Sequence, residues 1–178
     1  MTIEEFDFPT VQKLLLSALT ELSKEPCLFS FRINERTLTQ RLALHLQLLV
    51  GRGLSVDCEY NRMWEEDDDI VKRLPWGAEP VRTDDDSGRT VYPDVIVHIR
   101  GKKFANFLVV EAKRNWRGKE LPEIDRRKLE GFTDPNGDFR YRWGAFISFA
   151  TAAKRKQAVV VWFAEGKQSD KHDAVEIQ

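Results

Sequence analysis

Two short stretches of this chain carry carboxylates and an ammonium group at spacings that could organise chemistry. The first is Pro93-Asp94, which opens the apolar run Val95-Ile96-Val97; the second is Glu111-Ala112-Lys113, which closes the run Leu108-Val109-Val110. Residues two apart on a strand share a face, so Glu111 and Lys113 point the same way. Between the runs lies Arg100-Gly101-Lys102-Lys103, a turn signal that makes them the arms of an antiparallel hairpin. A turn centred between Lys102 and Lys103 gives paired positions a constant index sum of 205, which Asp94 and Glu111 also satisfy. The two acids are therefore expected opposite each other, with Cβ atoms about 4.5–5.5 Å apart. Like charges at that distance repel, and a sheet built for stability alone avoids them. A divalent cation between them removes the conflict. An oxygen donor pair suits Mg2+ or Mn2+ better than zinc, and His45, His98 and His172 are scattered along the chain. Lys113 adds a positive charge to the same face, where it can stabilise developing negative charge or help orient and deprotonate a water. Cation plus lysine is a combination suited to hydrolysing a phosphodiester.

The elements that must hold these residues follow from periodicity. Val11, Leu15, Ala18 and Leu22 predict a helix over about 10–24, with Asp7 or Thr10 as its cap and Pro26 as its end. Residues 1–30 read as a helical extension ahead of a core at 31–165. Asn34 is the expected N-cap of the first core helix and Gly51 its terminator, with Leu38, Leu42, Leu46 and Leu49 as its apolar stripe. Extended back by three residues, the stripe reaches Glu35, which puts a carboxylate in the first turn on the core-facing side. Leu54, Val56, Cys58 and Tyr60 then alternate with polar residues, as in a strand with one apolar face. From 62 to 89 the pattern dissolves into a long connection with acidic runs at 65–69 and 84–86, long enough to contain a short element. No calcium-loop spacing is present, so the acidic runs read as solvated. The hairpin strands, at 91–99 and 107–113, come next. A helix over 122–130 with Gly131 as its stop follows, then strands at 141–149 and 158–163. Residues 166–178 are polar and read as a frayed tail. Helices interleaved with strands predict an α/β domain, a mixed sheet with helices packed on it.

Pro93-Asp94, a gap of 16 residues and Glu111-Ala112-Lys113 resemble the signature of the PD-(D/E)XK nuclease superfamily. The element order from Glu35 to Phe163 resembles its core of helix, three strands, helix and strand, over about three quarters of the chain. The resemblance implies a restriction-endonuclease-like fold, here with an extra N-terminal helix, and a Mg2+- or Mn2+-dependent nuclease acting on DNA more than RNA. Residue by residue, Asp94 matches the metal-binding aspartate, Glu111 the second metal carboxylate and Lys113 the catalytic lysine. Ala112 matches the position whose backbone carbonyl often completes the metal shell. Glu35 matches the glutamate many members place on the first core helix, although the helix dipole alone also favours an acid there. Glu59, on the polar face of the preceding strand, is its rival as fourth carboxylate. Arg114, Trp116, Arg117 and Lys119 leave the active strand as a basic stretch with one aromatic, able to neutralise phosphates and stack on a base. Arg126, Arg127 and Lys128 follow on the next helix, where each is equally an ordinary solvated side chain; Asp125 and Lys128, three apart, fit a surface pair.

Composition bounds the remaining choices. At 178 residues, 42% of them hydrophobic, the chain can bury one real core. With 28 Lys and Arg against 29 Asp and Glu, it cannot coat nucleic acid by charge alone, though a local basic groove is compatible. Cys27 and Cys58 are too few for a disulfide framework or a four-cysteine zinc site, so free thiols in a reducing compartment are expected. Apolar runs fall short of the roughly 20 residues of a membrane helix, and the acidic start lacks a signal-peptide layout. These features predict a soluble, cytoplasmic protein with no membrane partner. Cutting both strands of a duplex calls for a symmetric homodimer, or for a partner protein that supplies target recognition. The alternative is a nuclease-fold subunit that binds nucleic acid or assembles with a partner without cutting.

Overall fold

Asp7 caps the first helix, its carboxylate accepting the Thr10 N–H at 2.9 Å. The computed structural model describes residues 6–30, 33–60, 62–65, 68–71, 92–102, 105–115, 121–150 and 156–177. Helix α1 runs Phe8–Ser23 and buries Val11, Leu15, Ala18 and Leu22, the predicted stripe. Pro26 does not simply end that helix; it starts a further turn, α2 (Pro26–Ser30), because proline's fixed φ suits a first helical position. Helix α3 (Glu35–Val50) lies between the N-cap Asn34, whose side chain accepts the Thr37 N–H, and Gly51, whose φ of 75° favours a residue without a Cβ. Leu38, Leu42 and Leu46 are buried as expected, but the stripe continues to Val50 and leaves Leu49 39% exposed.

Six strands form one mixed sheet. In chain order they are β1 (Ser55–Cys58), β4 (Val95–His98), β5 (Asn106–Arg114), β6 (Trp143–Ala150), β7 (Gln157–Ala164) and β8 (Lys167–Glu176), and they lie side by side in that same order. A separate antiparallel ribbon, β2 (Arg62–Glu65) with β3 (Asp68–Val71), is the short element within the long connection. Residues 72–91, with the second acidic run, lie outside the described residues. β4 and β5 pair antiparallel with Val95 opposite Val110, Ile96 opposite Val109 and Val97 opposite Leu108. That is the register inferred from the turn; a shift at Val97/His98 alters it only on the turn side. β5 and β6 are parallel. Their crossover carries α4 (Glu123–Thr133), as parallel neighbours require. The remaining pairs are antiparallel.

Alternation sends side chains to two cores. Val95, Val97, Leu108, Val110, Ala112 and Ile147 pack with α1 and α3 on one face. Ile96, Val109, Phe146 and Phe163 pack with Leu129 and Phe132 of α4 on the other. Helices thus flank both faces of the mixed sheet. Two sequence expectations are corrected here. Helix α4 runs through Gly131 to Thr133, because Phe132 and Thr133 are buried against the sheet. It stops at Asp134, which precedes Pro135 and takes an extended backbone. The tail from Gly166 is not frayed. Glu165 and Gly166, both at positive φ, turn the chain back into edge strand β8. Its polar composition is that of a strand facing water, and Asp173 anchors it by accepting from Trp162 Nε1 at 2.7 Å and from Gln12 Nε2 at 2.8 Å. Among the described residues, no helix is long and apolar enough to cross a membrane.

Candidate active site

The C-terminal end of β5 and the residue just before β4 meet at one end of these two interior strands, where α3 begins and α4 passes. Asp94 stands one position beyond the last β4–β5 pair. Its Oδ2 accepts the Ala112 N–H at 2.7 Å, taking the place of a strand carbonyl. On its other side the Glu59 N–H donates to the carbonyls of Pro93 and Asp94. The side chain is therefore fixed against β5 by main-chain groups. Burial pushes the Asp94 carboxyl above its ordinary range, while the Ala112 N–H, Lys113 and Lys128 pull against that rise.

Glu111 and Lys113 share the face of Val109, the side covered by α4, as the two-residue spacing requires. Glu111 is 1% exposed. Burial, and then the neighbouring charge of Asp94, lift its carboxyl well above the usual range. Its Oε2 pairs with Lys128 Nζ at 3.1 Å, and its Oε1 is buried without a hydrogen-bond partner. Lys113 reaches Glu35 Oε1 at 3.0 Å and lies 3.9 Å from Asp125 Oδ2. Burial alone would lower the Lys113 pKa, but Asp125, Glu35 and Asp94 together outweigh it and hold the ammonium above its ordinary value. The acids around it favour the charged form of the lysine.

Glu35 comes to the site as its place on the α3 stripe predicts, but both oxygens are engaged. One holds Lys113 and the other accepts the Arg114 N–H at 2.9 Å. In this arrangement it positions the lysine and the strand end. Glu59, its rival, turns outward to Arg36 Nε at 2.8 Å. Ala112 is buried in the core under α3, its neighbour across the parallel pairing being Ile147. Arg114 is half-buried at the strand end, and Trp116, Arg117 and Lys119 lie outside the described residues. Arg126 and Arg127 both pair with Glu123, and Arg126 also with Glu130, along α4.

Two site residues escaped the sequence reading. Asp125, taken for half of a surface pair, is 4% exposed and has a buried Oδ2 without a hydrogen-bond partner. Lys128 turns inward to Glu111. The cue was available: Asp125, Leu129 and Phe132 fall on one helical stripe, so a carboxylate sits where an apolar residue is expected, as Glu35 does on α3.

The four carboxylates Glu35, Asp94, Glu111 and Asp125 and the two ammonium groups Lys113 and Lys128 form one electrostatic cluster. Fully ionised, it carries two surplus negative charges, and in its present form the strain appears as carboxyls raised by burial. Among the described residues, no group of three or more His, Cys, Asp or Glu side chains is arranged to hold a metal ion. Compared with models of known families, with curated proteins and with solved structures, the chain matches none.

Proposed function

We propose that this chain is a metal-dependent nuclease of the PD-(D/E)XK type, with a restriction-endonuclease-like core, that hydrolyses phosphodiester bonds in DNA. The observation that carries the reading is Glu111 Oε1. A carboxylate oxygen buried without a partner, beside the like charge of Asp94, is costly unless a cation completes it. The donors are oxygens, and the cluster's surplus of two negative charges is what one divalent cation neutralises. Asp94 and Glu111 would hold Mg2+ or Mn2+, which binds through one or two carboxylates with waters and substrate phosphate filling the rest. Such an ion, when bound, supplies an acidified water and neutralises charge on the phosphate.

The chain's own residues do the remaining work. Lys113, kept protonated by Asp125, Glu35 and Asp94, presents an ammonium to the phosphate and stabilises charge that develops on its oxygens. Glu35 fixes the direction of that ammonium. The Ala112 N–H fixes Asp94. Glu111 and Lys113 lie toward the carboxyl end of β5, which runs parallel to β6, and open α/β sheets hold ligands at the carboxyl ends of their strands. The same reading includes a cytoplasmic location, the basic stretch with Arg117, Lys119 and Trp116 as DNA contacts, and a homodimer or partner protein for target choice.

The test is cleavage of plasmid and single-stranded DNA with Mg2+ or Mn2+, by wild type, Asp94→Ala and Lys113→Ala. Wild type should cut only with the cation, and neither variant should cut. Cutting that persists in both variants rejects the site. One observation favours the non-catalytic alternative: Lys128 already occupies one oxygen of Glu111. Under that reading wild type binds DNA and never cuts it, with either cation.

A further inference from the structure

Helix α4 brings a second cation to the buried acids, and the sequence motif gives it no role. Lys128 Nζ lies 3.1 Å from Glu111 Oε2, and its side chain is 18% exposed against 1% for Glu111. The same Nζ donates to the Tyr92 carbonyl at 3.4 Å, two residues before Asp94. The one Nζ therefore bridges two acceptors at once, the buried Glu111 carboxylate and the Tyr92 main chain, and can keep the second contact when the first is lost. The other oxygen of Glu111 is buried without a partner. An ion bound between Asp94 and Glu111 would meet the Lys128 charge on the same carboxylate, and two cations sharing one carboxylate repel.

We propose that Lys128 is an internal counter-ion that competes with the divalent cation for Glu111, so that ion binding shifts it toward the Tyr92 carbonyl. This rests on the two-carboxylate ion site proposed above and adds what regulates it. Lys128 holds the metal-free site together and keeps its affinity for free cation low. The site then fills mainly when substrate phosphate adds its own negative charge. Lys128 is a positioning residue and does not touch the reacting atoms.

The experiment is Mn2+ binding to the full chain, followed by calorimetry and by the electron paramagnetic signal of free Mn2+. It compares wild type, Lys128→Met, Lys128→Arg and Asp94→Asn. Changes in groups around a metal's ligands move affinity by about 10–100-fold. Lys128→Met should bind tighter than wild type by an amount in that range, Lys128→Arg should stay near wild type, and Asp94→Asn should lose binding. Equal or weaker binding by Lys128→Met, with Asp94→Asn still abolishing it, overturns the competition and leaves the ion site standing. Absence of Mn2+ binding in every protein overturns both. If Lys128→Met does not fold, nuclear magnetic resonance of lysine side chains in wild type decides the matter. The resonance absent from Lys128→Arg should shift on adding Mg2+, and an unmoved resonance at saturating Mg2+ overturns the proposal.

Discussion

Replacing Glu111 by Gln should stabilise the metal-free protein, although it removes a residue central to the site. The carboxylate is buried, faces the charges of Asp94 and Asp125, and has one oxygen without a partner. Leaving a buried polar atom unpaired costs about 1–3 kcal/mol, and more when it is charged. Gln keeps an oxygen for Lys128 and offers N–H donors to the negative surroundings. It weakens the Lys128 contact by about 1 kcal/mol, the difference between a charge-assisted and an ordinary hydrogen bond. The net gain is about 1–2 kcal/mol. At about 2–4 °C per kcal/mol for a domain of this size, Tm rises by about 2–8 °C.

The pH dependence separates this cause from others. The folded-state pKa of Glu111 is raised, so the folded protein holds that proton more tightly than the unfolded chain does. The stability this proton contributes is complete below the ordinary glutamate range and is lost as pH rises through the raised folded value. The advantage of Gln should therefore vanish near about pH 4 and be large at about pH 8. Thermal unfolding followed by circular dichroism in EDTA across that range measures it. In Mg2+ at about 100 times Kd, wild type gains about 2.7 kcal/mol that the variant cannot, and the order of stabilities reverses. A Gln variant less stable than wild type at about pH 8 in EDTA, or a gap that ignores pH, refutes the reasoning.

Lys113→Met should retain Mn2+ binding and lose about 10²–10³ in DNA cleavage rate, the size of effect seen when one preorganised charge stabiliser is removed; quantified nicking of plasmid checks it. Gly144→Ala places a Cβ 3.0 Å from Phe163 Cβ and from Thr133 Cγ2, and 3.3 Å from Leu129 Cδ2, where α4 meets the sheet. It should cost about 1–3 kcal/mol, read as a lower urea midpoint with unchanged slope. Asp57 is the acid-sensitive point away from the site: its burial favours the neutral form, but Arg100 and His98 outweigh this and hold the carboxyl below its ordinary range. Its contribution is present above the ordinary aspartate range and lost as pH falls through the depressed folded value. Asp57→Asn should therefore lower stability at neutral pH by about 1–3 kcal/mol, with the difference closing in acid, as urea midpoints at the two pH values would show.

What could be read from the chain alone was whatever depends on local period and turn chemistry. Asp94, Glu111 and Lys113 were placed because strands alternate and because the index sum of 205 holds at Val95 opposite Val110; on the turn side His98 opposite Asn106 is one lower, so the irregularity between Val97 and His98, and not the turn alone, sets the register at the acids. Glu35 was placed because Asn34 caps its helix and leucines mark its inner face. Strand β8 was missed because an edge strand exposed to water carries polar residues on both faces, and composition then looks like a tail. The end of α4 was missed because tertiary burial of Phe132 and Thr133 carries the helix past glycine to the residue before a proline. Asp125 and Lys128 were read as a pair at the surface, since helical spacing says that two residues are neighbours and not which way they face. Their direction depends on the sheet beneath α4, and no local signal contains it.

The same distribution explains why the acids can coexist before any cation arrives. Lys113 lies between layers, with Glu35 from the helix on one face of the sheet and Asp125 from the helix on the other. Lys128 closes the opposite side through Glu111. Each ammonium is thus held by elements far apart in sequence, and Lys113 has both its partners only when α3 and α4 have docked on the sheet. In the unfolded chain the carboxylates are apart and solvated, so the repulsion among Asp94, Glu111 and Asp125 is a cost of folding alone. The apolar burial of Leu38 and Leu42 on one face, and of Leu129 and Phe132 on the other, must offset it. Under the proposed function, costly charges placed where two packed layers meet are stability given up for a preformed site. That trade makes Glu111 the position where losing function should raise the melting temperature.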